Sequence, residues 1–360
     1  MIFMRKSYLD NIRWITVILV VLYHVFYMYN AEGVLGGLGQ ITDLRVQYFD
    51  LYQYIVYPWF MPILFIVSGI CSRFDLEQHD DKSFLSRRTT KLLVPSTIGL
   101  IAFQFIQGYI NMSIGGAFES FENVPTIVIV LIMVISGIGV LWYIQMLWVF
   151  SLALVWIRKI EKDRLWSIGS KVNMATLLIM TPLVWMSAQF MNTPVIVVYR
   201  FGFYGLSFLL GYFVFSHEEV INCLRKWFIP LLATACVLGA VFCSVYFGKN
   251  FADTPINRSP LFTSFSWFAC LAILGGMARY GDFENKYTRW LQKRSFGLYV
   301  FHYLGISAVA HFIGKNGLLP APMVYLLSLF AGFAAGYGLN AVISRIPFFR
   351  WAVLGIKQKG

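Results

Sequence analysis

Ten apolar runs, each close to twenty residues, follow one another along the chain, and no other feature limits its fold so sharply. They lie near 12–30, 52–73, 89–112, 139–160, 173–191, 197–216, 227–247, 261–280, 295–313 and 321–344. An α-helix needs about twenty apolar residues to cross a hydrocarbon layer of roughly 30 Å. Inside that layer each backbone amide must be paired within the chain. The expected fold is therefore all-α, a polytopic integral membrane bundle of about ten transmembrane helices. Composition agrees: 58% of the 360 residues are hydrophobic and 13% are charged, far from a soluble profile.

The net charge of +12 raises the question of nucleic acid, and the placement of the charges answers it. With these spans, 23 of the 29 Lys and Arg fall on alternate loops, in clusters at Arg5/Lys6, Arg73 to Lys91, Arg158 to Lys171, Arg225/Lys226, Arg279 to Arg294 and Arg345 to Lys359. The opposite loops hold Arg45, Lys249, Arg258 and Lys315. Such asymmetry places both termini in the cytoplasm. It is a topology signal, and no nucleic-acid partner is expected. A further apolar segment, "VPTIVIVLIMVIS" (124–136), is too short to cross and is expected to be re-entrant or interfacial on the outer face.

The basic, apolar N-terminus lacks a small-residue cleavage site, so it is expected to stay as the first span. The five Cys (71, 223, 236, 243, 270) show no metal-ligand spacing and are expected to be buried small residues. No metal site is expected. Residues 1–360 read as one membrane-embedded domain, with no soluble domain attached.

The stretch "IRWITVILVVLYHVFY" (12–27) carries two residues foreign to lipid, Arg13 and His24. Eleven residues turn a helix through three revolutions plus about 20°, so both lie on one face, roughly 16.5 Å apart along the axis. An Arg at the centre of a span costs about 2.5–3.5 kcal/mol on insertion scales, so such residues mark cavities or pathways. Arg13, near the helix start, either snorkels to the headgroups or lines such a path. His24 lies past the midplane, where snorkelling is harder. It is either an inert hydrogen-bonded residue or a working one.

Here the sequence resembles the acyltransferase 3 family. "YLDNIRWITVILVVLYHV" is similar to its first span, an Arg, ten residues, then a His, matched by Arg13 and His24. "FMPILFIVSGI" (60–70), "FLSRRTTKLLVP" (84–95), "LWYIQMLW" (141–148) and "SFGLYVFHYLGI" (295–306) resemble later elements in family order. The "YLDNIR" opening is similar to the branch that includes glucan biosynthesis protein C. The resemblance implies a multi-pass protein of a bacterial cytoplasmic membrane. It would move an acetyl or succinyl group from cytoplasmic acyl-CoA, a co-substrate and not a resident cofactor, to a hydroxyl of an extracytoplasmic glycan or small molecule. The alternative is a transporter or flippase using the same intramembrane residues.

The residues can be tested against that chemistry. Acyl transfer to an alcohol needs an activated hydroxyl, a stabilised oxyanion and a held donor. His24 is the group of the first helix that titrates near neutral pH, hence a general base, with an acyl-histidine intermediate left open. Arg13, Arg73, Arg87, Arg88 and Lys91 cluster at the inner mouths of spans one to three, where nucleotide phosphates want cations; a loop obeying the positive-inside rule looks the same. Ser68 and Gly69 fall near the level of Arg13, as donor contacts or as packing positions. Tyr299 and His302, on one face of the ninth span, either line the donor path, brace His24 or fill core hydrogen bonds. On the acceptor side stand Trp142 and Tyr143, Arg200 and Asp43, each with an interfacial, snorkelling or solvated alternative. Asp10, an i, i+3 partner of Arg13, and Tyr23 are supporting residues. A carboxylate from Asp43 or Asp50 would complete a His–Asp dyad, but Pro62 stands where the family variant has its Asp.

Overall fold

The computed structural model describes residues 6–121, 124–193 and 198–357. Arg5 and Lys359 of the terminal charge clusters, and residue 197 of the sixth expected span, lie outside them. The fold is all-α, 78% helical with no strand among the described residues. The long helices are α1 (Ser7–Met28), α2 (Tyr48–Gln78), α3 (Asp81–Ile114), α4 (Thr126–Ser136) and α5 (Gly139–Glu161). After the short α6 (Arg164–Gly169) come α7 (Met174–Ser187), α8 (Phe201–Phe213), α9 (Glu218–Lys226) and α10 (Phe228–Tyr246). The chain continues with α11 (Pro260–Tyr280), α12 (Lys286–Gly314), α13 (Ala321–Ile343) and α14 (Pro347–Leu354).

Eight of these helices are long and apolar enough to cross a membrane: α1, α2, α3, α5, α10, α11, α12 and α13. The fifth and sixth expected spans come out shorter, as α7 and α8. Asn173 starts α7 by accepting a hydrogen bond from the Thr176 amide, and Pro182 divides it at Met180. Both signals are invisible to average hydropathy. Helix α4 has 11 residues, about 16.5 Å, well short of a span. Two wide π-turns, Thr89–Leu93 and Leu100–Gln104, interrupt α3. The first ends two residues before Pro95, a residue that lacks an N–H and crowds the turn before it.

The helices gather into two compact units. The first takes residues up to Thr16, then Tyr54–Leu85 and Val149–Gln292. The second takes Val17–Gln53, Ser86–Trp148 and the chain from Lys293 on.

In the first unit, α2 and α8 touch backbone to backbone. A Cβ on Gly69 would run into the Phe208 carbonyl, so no larger residue fits there without parting the helices. The same unit collects paired charges. Arg73 is held by Glu77 and Asp163, both at 2.6 Å, and lies 4.0 Å over the Trp166 ring. Its guanidinium also donates to the Tyr212 hydroxyl at 3.3 Å. Asn11 donates to the Gly281 and Phe283 carbonyls, and Lys6 pairs with Glu218 at 2.6 Å. Arg225 reaches the other oxygen of Glu218 at 2.8 Å. Of the cysteines, Cys270 is buried as expected, whereas Cys71, Cys223 and Cys243 are half-buried and Cys236 is exposed.

Burial pushes the Glu218 carboxyl up, but the Lys6 and Arg225 partners outweigh it and hold the group below its ordinary value of 4.5. A depressed acid stabilises the fold above its ordinary pKa, and that contribution fades as pH falls through the lowered one. Glu218→Gln is therefore expected to lose less thermal stability than the wild type between pH 5 and pH 3.5, roughly the window set by this shift. Melting curves at the two pH values decide it. Equal losses in both proteins would mean that this clasp does not titrate with folding.

Candidate functional site

His24 and His302 meet in the second unit. The connection begins with the way α12 is fixed there. Gln104 donates to the Val300 carbonyl at 3.3 Å, and Gln107 donates to the Ser307 hydroxyl at 2.8 Å, so α3 grips α12 on both sides of His302. Gly305 lets α12 approach α13 so closely that a Cβ there would strike the Ala331 carbonyl. Near the end of α1, the Tyr29 and Ser328 hydroxyls share a hydrogen bond of 2.7 Å. Tyr52 donates to the Leu19 carbonyl at 3.0 Å, one turn before His24. Both histidines thus sit on helices fastened by polar contacts, where exposed apolar surface would give no directional grip.

His302 is 0% exposed, whereas His24 is only partly buried. Their rings lie 5.0 Å apart, with His302 Nε2 3.0 Å from His24 Nδ1. The protons follow from the partners. His302 Nδ1 faces the Leu298 and Tyr299 carbonyls at 3.0 and 2.9 Å, and carbonyls only accept, so Nδ1 carries the hydrogen. In the neutral ring His302 Nε2 is then an acceptor. His24 Nδ1 faces that acceptor and the Val20 carbonyl at 2.9 Å, so it too is protonated. The lone pair of neutral His24 is left on Nε2, which has no hydrogen-bonding partner among the described residues. The network assigns both tautomers.

Phenol rings surround the His24 imidazole. Tyr23 and Tyr303 lie 5.2 and 5.0 Å from the His24 ring, and Tyr27 lies at 5.7 Å. Tyr27 donates to the Leu35 carbonyl, and Tyr303 donates to the Gly36 carbonyl at 3.1 Å, so two rings of the cage also hold the loop after α1. Tyr299 donates to the Val140 carbonyl and packs edge-on against Tyr143 at 5.9 Å, with Trp142 next to Tyr143 at 6.3 Å.

Of the residues singled out in the sequence, the structure brings together His24, His302 and Tyr23, and separately Tyr299, Tyr143 and Trp142. Arg87 is exposed and Arg88 half-buried at the end of the helical segment Asp81–Arg88 that starts α3. Lys91 extends 5.1 Å over the Phe296 ring. Arg13, Asp10, Ser68, Gly69, Arg73 and Arg200 belong to the first unit. There Arg13 contacts Asp10 at 3.4 Å, Ser68 is buried, and Arg73 has two carboxylates of its own where the sequence suggested a phosphate ligand. Asp43 is exposed. Asp50 spends its carboxylate on the Ala31 amide and on Gln47 and Gln53, so the position of a dyad acid beside His24 is taken by His302. Sequence reasoning missed Tyr27 and Tyr303. Their signal was spacing: one lies three residues after His24, the other directly follows His302.

The family model for an acyltransferase domain matches residues 6–341. The chain belongs to the acyltransferase 3 family. It is thus an integral, multi-pass membrane acyltransferase. No curated protein and no solved structure matches it. In this acyltransferase the histidine pair is an arrangement that can move a proton. A base with one nitrogen tied and the other presented is what attack by a hydroxyl requires.

The tautomer assignment is open to direct measurement. With 15N-labelled histidine in micelles, both His24 and His302 should give the signature of neutral rings protonated on Nδ1 at neutral pH. A ring protonated on Nε2 at either position would overturn the network.

Proposed function

We propose that this acyltransferase moves an acetyl or succinyl group from cytoplasmic acyl-CoA to a hydroxyl of an extracytoplasmic glycan or small molecule, with His24 as general base. The observation that carries the reading is the hydrogen bond from His24 Nδ1 to His302 Nε2, which leaves His24 Nε2 free to accept a proton. In this scheme Nε2 takes the hydroxyl proton as the oxygen attacks the thioester carbonyl. The tetrahedral intermediate then collapses, the carbon–sulfur bond breaks, and the proton passes from Nε2 to the leaving thiolate. The imidazolium formed in between keeps its Nδ1–H on His302, which acts as a positioning residue in the manner of the third member of a triad.

For the donor, the reading uses Arg13, at the cytoplasmic end of the same helix α1, as the phosphate contact. The eleven-residue step along α1, about 16.5 Å, is comparable to an extended pantetheine arm. The donor itself then bridges the depth of the membrane, and the protein needs no large movement. Trp142, Tyr143 and Tyr299 offer aromatic faces and hydroxyls of the kind that suit a sugar. Family membership favours acyl transfer over the transport reading of the same residues.

The purified protein incubated with acetyl-CoA or succinyl-CoA, with and without candidate glycans, tests this by release of free CoA. His24→Ala should fold and lose about 10²–10⁴-fold in rate, the range of a general base. His302→Phe should lose about tenfold or more, and His302→Gln, whose amide oxygen can accept from Nδ1, should lose less. Unchanged turnover in His24→Ala, or substrate uptake into vesicles without CoA release, contradicts the proposal. Arg13→Ala should weaken donor binding more than it slows the chemical step. Equal donor affinity in variant and wild type would remove the phosphate contact from the account.

A further inference from the structure

Arg200 stands at the head of α8 in the first unit, only 2% exposed. A guanidinium is charged at every accessible pH, so a buried one calls for a counter-charge. None pairs with it among the described residues: the other buried cation of this unit, Arg73, has two carboxylates, and Arg200 appears in no ion pair. Its surroundings are π-faces, the Tyr204 hydroxyl and one carbonyl. Phe203, Phe262 and Tyr204 present their rings at 4.7, 5.1 and 5.7 Å, and Nη2 donates to the Asn257 carbonyl. Aromatic faces attract a cation but leave its charge in place.

The remaining donors are unused. Nε and Nη1 are both buried and without a hydrogen-bonding partner among the described residues. Nη2 carries two hydrogens, one on each edge of the planar fork. Whichever hydrogen meets Asn257, the opposite edge keeps two parallel donors, the spacing that a carboxylate or phosphate accepts. Asn257 adds a complementary group. It too is only 2% exposed, its amide nitrogen is committed to the Ala252 carbonyl at 2.6 Å, and its side-chain oxygen has no donor. A ligand with an oxyanion and a nearby hydroxyl would satisfy both residues.

We infer that Arg200 and Asn257 form a binding site for an oxyanion, taking the carboxylate of a small acid or the phosphate of an anionic lipid headgroup. The guanidinium supplies the charge and the paired donors, the three rings desolvate it, and Asn257 fixes one edge and leaves the other to the ligand. The site is independent of the acyl-transfer reading, because its occupancy is measured by binding.

The experiment follows the melting temperature of the full chain in neutral detergent during titration with sodium succinate, sodium phosphate or phosphatidylglycerol, against sodium chloride at matched ionic strength. A saturable rise of roughly 4 °C at a hundredfold excess over the dissociation constant is expected for at least one of them. Response to succinate or phosphate identifies a soluble ligand; response to phosphatidylglycerol alone identifies a headgroup. Arg200→Gln should abolish the response. Arg200→Lys, which keeps the buried charge and hence guards against a folding defect, should raise the half-saturating concentration at least about tenfold, since an ammonium lacks the fork. A wild type that responds to none of the three, or an Arg200→Lys protein that responds as the wild type does, would reduce Arg200 to a cation clamped by aromatic rings.

Discussion

The hydrogen bond between two imidazoles inside the second unit sets the terms for the rest of the site. Histidine can accept on one nitrogen while donating on the other, and a row of carbonyls at Leu298, Tyr299 and Val20 decides which is which. Two neutral rings in series therefore have one chemically consistent arrangement. It ends at His24 Nε2. A carboxylate in the place of His302 would do the same orienting work with a full negative charge, which a hydrocarbon layer tolerates poorly. A neutral imidazole holds His24 in register without that burden.

Elsewhere the protein treats charge in the opposite manner. Arg73 is enclosed by two carboxylates and an indole, and Glu218 is shared by Lys6 and Arg225. These groups fasten helix ends. Two residues argued to touch ligands have polar capacity left over: His24, whose Nε2 has no hydrogen-bonding partner among the described residues, and Arg200, whose Nε and Nη1 have none.

Much of the fold was legible because a bilayer leaves few options. Runs near twenty residues mark helices, and the structure extends several of them with charged turns that hydropathy cannot register, such as Asp81–Arg88 before the apolar part of α3. Where the reading overshot, at 173–191 and 197–216, an asparagine cap, Pro182 and the turn at Arg200 shorten the helices. The site was legible in part for the same reason: a lone His in an apolar run stands out. Its partner His302 was one of three open readings, since sequence gives the helical face but not the neighbour across it. The tyrosine cage escaped notice because aromatic residues are common throughout this chain. Arg73, read from the sequence as a phosphate contact, shows what spacing cannot give, since its carboxylate partner Asp163 lies 90 positions away.

The account reduces to one presented nitrogen. An experimental density map of the protein with a non-reactive ketone analogue of acetyl-CoA tests it most directly. The analogue's carbonyl carbon should lie beside His24, with room for an attacking oxygen about 3–3.5 Å away and within hydrogen-bonding reach of Nε2. An analogue seated with its acyl end remote from His24, or a map in which His24 Nε2 is bonded to another protein group, would contradict the claim.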